Sequence, residues 1–113
     1  YHGASPLVSQ LHQEGLLEAA AVPQLATFEA GVLFARQEGI IPAPESCHAI
    51  RAAIDEALAC KQTGEPKVIL FNLTGHGHFD MASFDRYFAG ELQDHEYSSE
   101  AVAESLAHLP QVG

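Results

Sequence analysis

Tryptophan is absent from these 113 residues, methionine occurs once, cysteine twice, and lysine and arginine together only five times. The shortage of basic residues is the most restrictive of these. Fifteen carboxylates against five cationic side chains give a formal charge of −10, which repels phosphate backbones and anionic lipid headgroups by the Coulomb term that draws basic proteins to them. Nucleic acid and membrane surfaces are therefore disfavoured as partners. No apolar run approaches the ~20 residues that span a bilayer, and no basic segment followed by an apolar one opens the chain as a secretory signal would. A cytoplasmic protein is expected. Cys47 and Cys60 fall on one expected helix, too far apart to pair with each other, which predicts free thiols in a reducing compartment. The length suits one domain burying roughly two thirds of its unfolded surface. The chain opens at Tyr1 without an initiator methionine and reads as part of a longer protein.

What is present alternates between helical and extended patterns. Ser5 is a candidate N-cap with Pro6 at the first helical position, Val8 and Leu11 share a face, and Gly15 can take the left-handed residue that ends a helix. Glu18 to Val22, before Pro23, is a weak strand candidate. From Gln24 to Gln37, Leu25, Phe28, Val32 and Ala35 recur at helical spacing until Gly39. Ile40 to Pro44 is extended, since each proline biases its predecessor away from the α region. Ser46 then opens a third helix with an apolar stripe of Ile50, Ala53, Ile54, Ala57 and Leu58, ending near Gly64. The run Lys67-Val68-Ile69-Leu70-Phe71-Asn72 does not alternate, which predicts a central parallel strand over 67–73 covered by helices on both faces. Asp80 or Ser83 caps a helix carrying Phe84, Tyr87 and Phe88, and a polar break over 93–99 precedes a last amphipathic piece with Val102, Leu106 and Leu109, closed by Pro110. The expected fold class is α/β, helices packed on a short parallel sheet.

Two segments carry chemistry. The first is the loop Leu73-Thr74-Gly75-His76-Gly77-His78-Phe79-Asp80 at the end of the expected strand, where ligands of open α/β sheets sit. Gly75 and Gly77 permit close backbone approach and Thr74 offers a hydroxyl, although a tight strand-to-helix turn needs the same glycines. The second is Glu38-Gly39-Ile40-Ile41-Pro42-Ala43-Pro44-Glu45-Ser46-Cys47-His48, which puts Glu45 at a helix start. The dipole and free amides there favour a carboxylate, and on position alone that structural role is the more economical one.

These two segments, together with Phe28-Glu29-Ala30-Gly31-Val32-Leu33-Phe34-Ala35-Arg36, resemble the C-terminal part of the tryptophan synthase β chain family, and the His-Gly-His loop resembles its divergent second type. The resemblance covers about residues 1–92, leaving 93–113 as a C-terminal helical tail. It implies a fold type II enzyme that uses pyridoxal 5′-phosphate to join L-serine to indole by β-replacement. Thr74 matches the family's hydroxyl residue on the cofactor's pyridine nitrogen, with Gly75 beside it. A hydroxyl, unlike a carboxylate, does not hold a proton on that nitrogen, so the ring is a weaker electron sink and loss of the β substituent wins over transamination. Glu45 matches the carboxylate beside the ring, which replaces the purely structural reading of that residue. Tyr1-His2-Gly3-Ala4-Ser5-Pro6 resembles a loop whose carbonyls help bind a monovalent cation, making Tyr1 and Gly3 candidate metal ligands.

The family's cofactor-binding lysine, phosphate loop and general acid-base carboxylate lie upstream of any segment matched here. Lys61 and Lys67 sit far from the loop, where solvation is their simplest role. The segment is therefore expected to be inactive alone and to contribute one cleft wall to a complete subunit, with the remainder of that subunit, a second copy of it and an α subunit as candidate partners. His76, His78 and Asp80 have zinc- or nickel-compatible chemistry but no further matched ligand pair, so a metal site there is disfavoured. His48 is read as a positioning or packing residue. The competing functions are a segment of a serine or threonine dehydratase, which would share Thr74 and the glycine loop, and a non-catalytic module binding an anion or a partner helix.

Overall fold

The structure, a computed structural model, describes residues 5–95 and 98–107. Ser5 is extended, with φ −62° and ψ 150°, and its hydroxyl accepts from the Val8 amide at 3.2 Å; Pro6 then opens helix α1, Pro6–Gln13. This satisfies one of the orphan amides of a helix start, while proline has none to satisfy. Helix α2, Gln24–Glu38, stops at Gly39 with φ 72°, and helix α3, Pro44–Thr63, stops at Gly64 with φ 75°. Both are left-handed ends that a Cβ would strain.

Helix α3 starts two residues before Ser46, the residue expected to open it. Ala43 stands at the cap position with extended backbone and makes no side-chain capping bond, and Pro44 takes the first helical position. Its fixed φ already suits a helix start, so no hydroxyl cap is needed and Ser46 is released for another partner. Asp80 occupies the position before helix α4, Met81–Phe88, without a side-chain cap, behind a single 3₁₀ turn at Gly77–Phe79. Helix α5 spans Ser99–Ala107. Leu109 and Pro110 lie outside the described residues.

The short parallel sheet does not form among the described residues, which contain helices and irregular chain but no strand. Residues 18–22 are irregular, as the alanine-rich sequence allows. Residues 65–74 also pair with no strand. Ile69, Phe71 and Leu73 are half-buried, whereas Val68 and Leu70 are 101% and 95% exposed. The run therefore has one covered face rather than two. A ladder needs a second extended segment at about 4.8 Å, and the helices leave none alongside. Phe71 meets Phe34 of α2 edge-on at 6.0 Å between ring centroids, and Ile69, Phe71, Ala49, Ala52 and Ala53 line one hollow against α3.

The core lies between α2, α3 and α4. Phe28, Cys47, Phe84 and Leu92 form its centre, with Val32, Ile41 and Tyr87 packed on it. The Phe28 ring meets Phe84 edge-on at 5.1 Å and stacks on Tyr87 at 5.6 Å, geometries that aromatic quadrupoles favour. Helices α2 and α3 approach closely because Gly31 lacks a side chain: a Cβ there would stand 2.4 Å from the Cys47 sulfur. Pro23 supplies no cap to α2, and the Asp94 carboxylate does so from far along the chain, accepting from the Leu25 amide at 2.9 Å.

The radius of gyration is 16.8 Å, against about 13 Å for a compact domain of this length. The accessible surface is 9131 Å², where a compact monomer of this mass would show about 6,000 Å². This fold leaves much of its apolar surface uncovered.

Candidate functional site

Two turns of backbone chemistry bring the two motifs together. The Gly77 amide donates to the Ile41 carbonyl at 2.9 Å, and a Cβ on Gly77 would lie 2.5 Å from the Pro42 carbonyl oxygen and 2.7 Å from the Ile41 Cγ2. Only glycine lets the loop lie flush on the segment entering α3. Gly75, at φ 70°, makes the turn, where a side chain would be strained and would touch the Ala43 Cβ at 3.4 Å.

The second link is Ser46, which is 4% exposed. Its hydroxyl donates to the Thr74 carbonyl and accepts from the Thr74 amide at 3.2 Å. One oxygen thus holds both main-chain polar atoms of a residue 28 positions away. Both bonds engage the backbone and leave the Thr74 hydroxyl out of the clasp. Thr74, Gly75 and Glu45 are exposed. Glu45 is the covalent neighbour of Ser46, with Cα atoms about 3.8 Å apart, so Glu45 and Thr74 occupy one end of the helix-loop unit. Ser46 thereby ties the segment that carries Glu45 to the loop that carries Thr74 and Gly75. Tyr1 and Gly3 lie outside the described residues.

Beneath this surface Cys47 is fully buried, and its thiol donates weakly to the Ala43 carbonyl at 3.3 Å. Burial pushes its pKa up to about 11, and the Glu45 carboxylate adds to the shift. Cys47 is a neutral packing residue, inert as a nucleophile at neutral pH. The Lys67 ammonium bonds the Glu56 carboxylate at 2.6 Å, and that bond raises its pKa. A lysine held charged is a poor nucleophile. His76 and His78 lie ring to ring at 4.9 Å with His76 against Phe79 at 5.3 Å, and all three are exposed. Among the described residues no group of three His, Cys, Asp or Glu side chains is placed to hold a metal ion. No helix there is long and apolar enough to cross a membrane.

A cleft of about 570 Å³ between α2, α3 and α4, lined by Glu29, Arg36, Arg51, Tyr87 and Phe88 among others, includes none of Glu45, Thr74 and Gly75. Thr74 and Glu45 are exposed residues outside that cleft. Sequence reasoning missed Ser46, reading it as a helix opener. The proline two positions earlier was the available signal, because it already starts the helix and leaves a buried hydroxyl seeking a partner.

No family model matches the chain. Among curated proteins, it is 68% identical over 92 residues to the tryptophan synthase beta chain 2 of Methanosarcina acetivorans, a match covering 81% of this chain and 21% of the relative. It is 63% identical over 94 residues to the protein of that name from Aquifex aeolicus, covering 83% and 22%. With the one from Pyrococcus furiosus it shares 46% identity over 110 residues, 97% of this chain and 25% of the relative. The chain spans about a fifth to a quarter of the length of the curated relatives it matches.

Proposed function

We propose that this chain, which belongs to the tryptophan synthase β chain family as a segment matching 21% of its relatives' length, forms the C-terminal part of a β-type subunit and one wall of its cofactor cleft. The complete subunit would be a pyridoxal 5′-phosphate-dependent lyase of fold type II joining L-serine to indole. The observation that carries this reading is the union of the two motifs: Ser46 bonds Thr74, so the Glu45 segment and the glycine loop present a hydroxyl and a carboxylate at one end of the unit.

The donor set suits the cofactor. A neutral hydroxyl at Thr74 can donate to an unprotonated pyridine nitrogen, and Gly75 would leave its backbone open to close approach. Glu45 would supply a negative charge on the cofactor's side of the cleft wall. When bound, pyridoxal phosphate supplies the electron sink for carbanion chemistry. Thr74 would hold the ring nitrogen without protonating it, and Glu45 would help set whether replacement or elimination follows. The lysine, phosphate loop and general acid-base carboxylate come from the rest of the subunit.

The uncovered surface supports the same assignment. The excess over a compact monomer is on the order of 3,000 Å², the scale of an obligate interface. In the complete subunit, residues 65–74 would join a parallel sheet, and helices of the remainder would cover the face that carries Val68 and Leu70. The candidate partners follow: the remainder of the subunit, a second subunit, and an α subunit. A monovalent cation at Tyr1 and Gly3, and the division of the chain at residue 92, belong to this proposal too. The relatives reported above all bear the tryptophan synthase name, so the dehydratase alternative gains no support from them.

The test is Thr74→Val in the full-length subunit. Cofactor affinity, titrated into the apo-protein, falls by about 1–3 kcal/mol, the cost of leaving a buried hydrogen-bonding partner unsatisfied. Unchanged affinity would remove Thr74 from the cofactor.

A further inference from the structure

We infer that Ser46 is a positioning residue whose hydroxyl, by clasping both main-chain polar atoms of Thr74, sets the direction in which Thr74 presents its own hydroxyl; the inference rests on the assignment of Thr74 to the cofactor nitrogen.

The geometry is unusual for a serine in the first turn of a helix, where such hydroxyls ordinarily bond local backbone. Ser46 instead reaches 28 residues along the chain. The Thr74 amide belongs to the peptide before the residue and its carbonyl to the peptide after it. Fixing both to one oxygen constrains the two torsions that orient the Cα–Cβ bond. A hydroxyl can do this because it donates once and accepts at the same time. Alanine does neither, and threonine keeps both capacities.

The surroundings shield the clasp on its Ser46 side. Ser46 is 4% exposed and its neighbour Cys47 is fully buried, so water does not compete freely for the hydroxyl. Directly after Thr74 the chain turns at Gly75 with φ 70°. That hinge is permissive in itself, and the constraint must come from outside it. The Gly77 amide on the Ile41 carbonyl at 2.9 Å holds the far side of the loop. Between a free glycine and a fixed one, the Ser46 hydroxyl decides where Thr74 points.

The experiment uses the full-length subunit with Ser46→Ala, Ser46→Thr, Thr74→Val and the combination Ser46→Ala with Thr74→Val. Two quantities are read: the dissociation constant for pyridoxal phosphate, and amide hydrogen exchange at Thr74 in the apo-protein, with α3 amides over 50–60 as the internal control. Ser46→Ala is expected to speed exchange at Thr74 by about tenfold and weaken cofactor binding by about three- to tenfold, with α3 unchanged. Ser46→Thr restores most of both. In the double variant the cofactor losses do not add, because the direction of a missing hydroxyl has no consequence. Should alanine prevent folding, Ser46→Cys keeps the volume, weakens both bonds and shows the same pattern in smaller measure. Additive losses, or unchanged affinity in Ser46→Ala while Thr74→Val binds weakly, overturn the positioning role and leave the assignment of Thr74 standing. A Thr74→Val subunit with unchanged affinity overturns that assignment, and the inference with it.

Discussion

Cys47 shows how far a single side chain is governed by its surroundings. Its thiol has an ordinary value of 9.0 and is pushed up to about 11, first by burial and then by the Glu45 carboxylate. A rise of that size lowers the thiolate fraction about a hundredfold at neutral pH, before any steric protection is counted. Titration of the native protein with a thiol reagent near pH 8 should therefore show one fast thiol, the half-buried Cys60, and one that reacts only as the protein unfolds. The sign of the stability effect follows from the same shift. The unfolded thiol ionises first, so the contribution of Cys47 is complete below about pH 9 and is lost as pH rises to about 11. In Cys47→Ala, that part of the alkaline loss of stability should disappear from melting curves taken across this range. Spacing alone cannot reveal any of this. Two cysteines on one helix were legible as unpaired, but which one is buried depends on a glycine from another helix.

That glycine, Gly31, governs the packing of α2 on α3. Gly31→Ala would drive a Cβ to 2.4 Å from the Cys47 sulfur, and overpacking of this kind costs about 1–3 kcal/mol. Cys47→Ala removes the obstructing atom, so the double variant should lose less stability in urea titration than the two single changes summed; simple additivity would show that the helices do not meet through this pair. Helices were the readable elements because their signals are local: Ser5 with Pro6, Gly39 and Gly64 each act within one turn. The start of α3 was read two residues late because Pro44 and Ser46 both signal a helix start and only one is used as such. The run over 67–73 was legible as apolar and extended, but not its environment. A strand is defined by a partner distant in sequence or outside it, and neither leaves a mark on the run itself. The candidate site was legible as two motifs through a family resemblance, whereas the hydroxyl joining them depends on a contact 28 residues long.

At the scale of the whole molecule, the extended run leaves apolar side chains in solvent. Val68 and Leu70 stand fully open on an extended run that pairs with no strand among the described residues, a surface of the kind that recruits other chains. Expressed as these 113 residues alone, the chain should bind a hydrophobic dye and self-associate as its concentration rises, despite a charge of −10. Replacing Val68 and Leu70 together by lysine should reduce both in dye titration and sedimentation; no change would locate the adhesive surface elsewhere. The bond from Asp94 to Leu25 has a different kind of consequence, set by time. It spans 69 residues, and a ribosome adding ~5–20 residues per second needs roughly 3 to 14 s to make that stretch. The Ser46–Thr74 clasp, 28 residues long, becomes possible roughly 1 to 6 s after Ser46 is made at the same speed. On the nascent chain the partners of the α2–α3 contact are synthesised first, those of the two-motif clasp next, and the carboxylate that caps the first turn of α2 last.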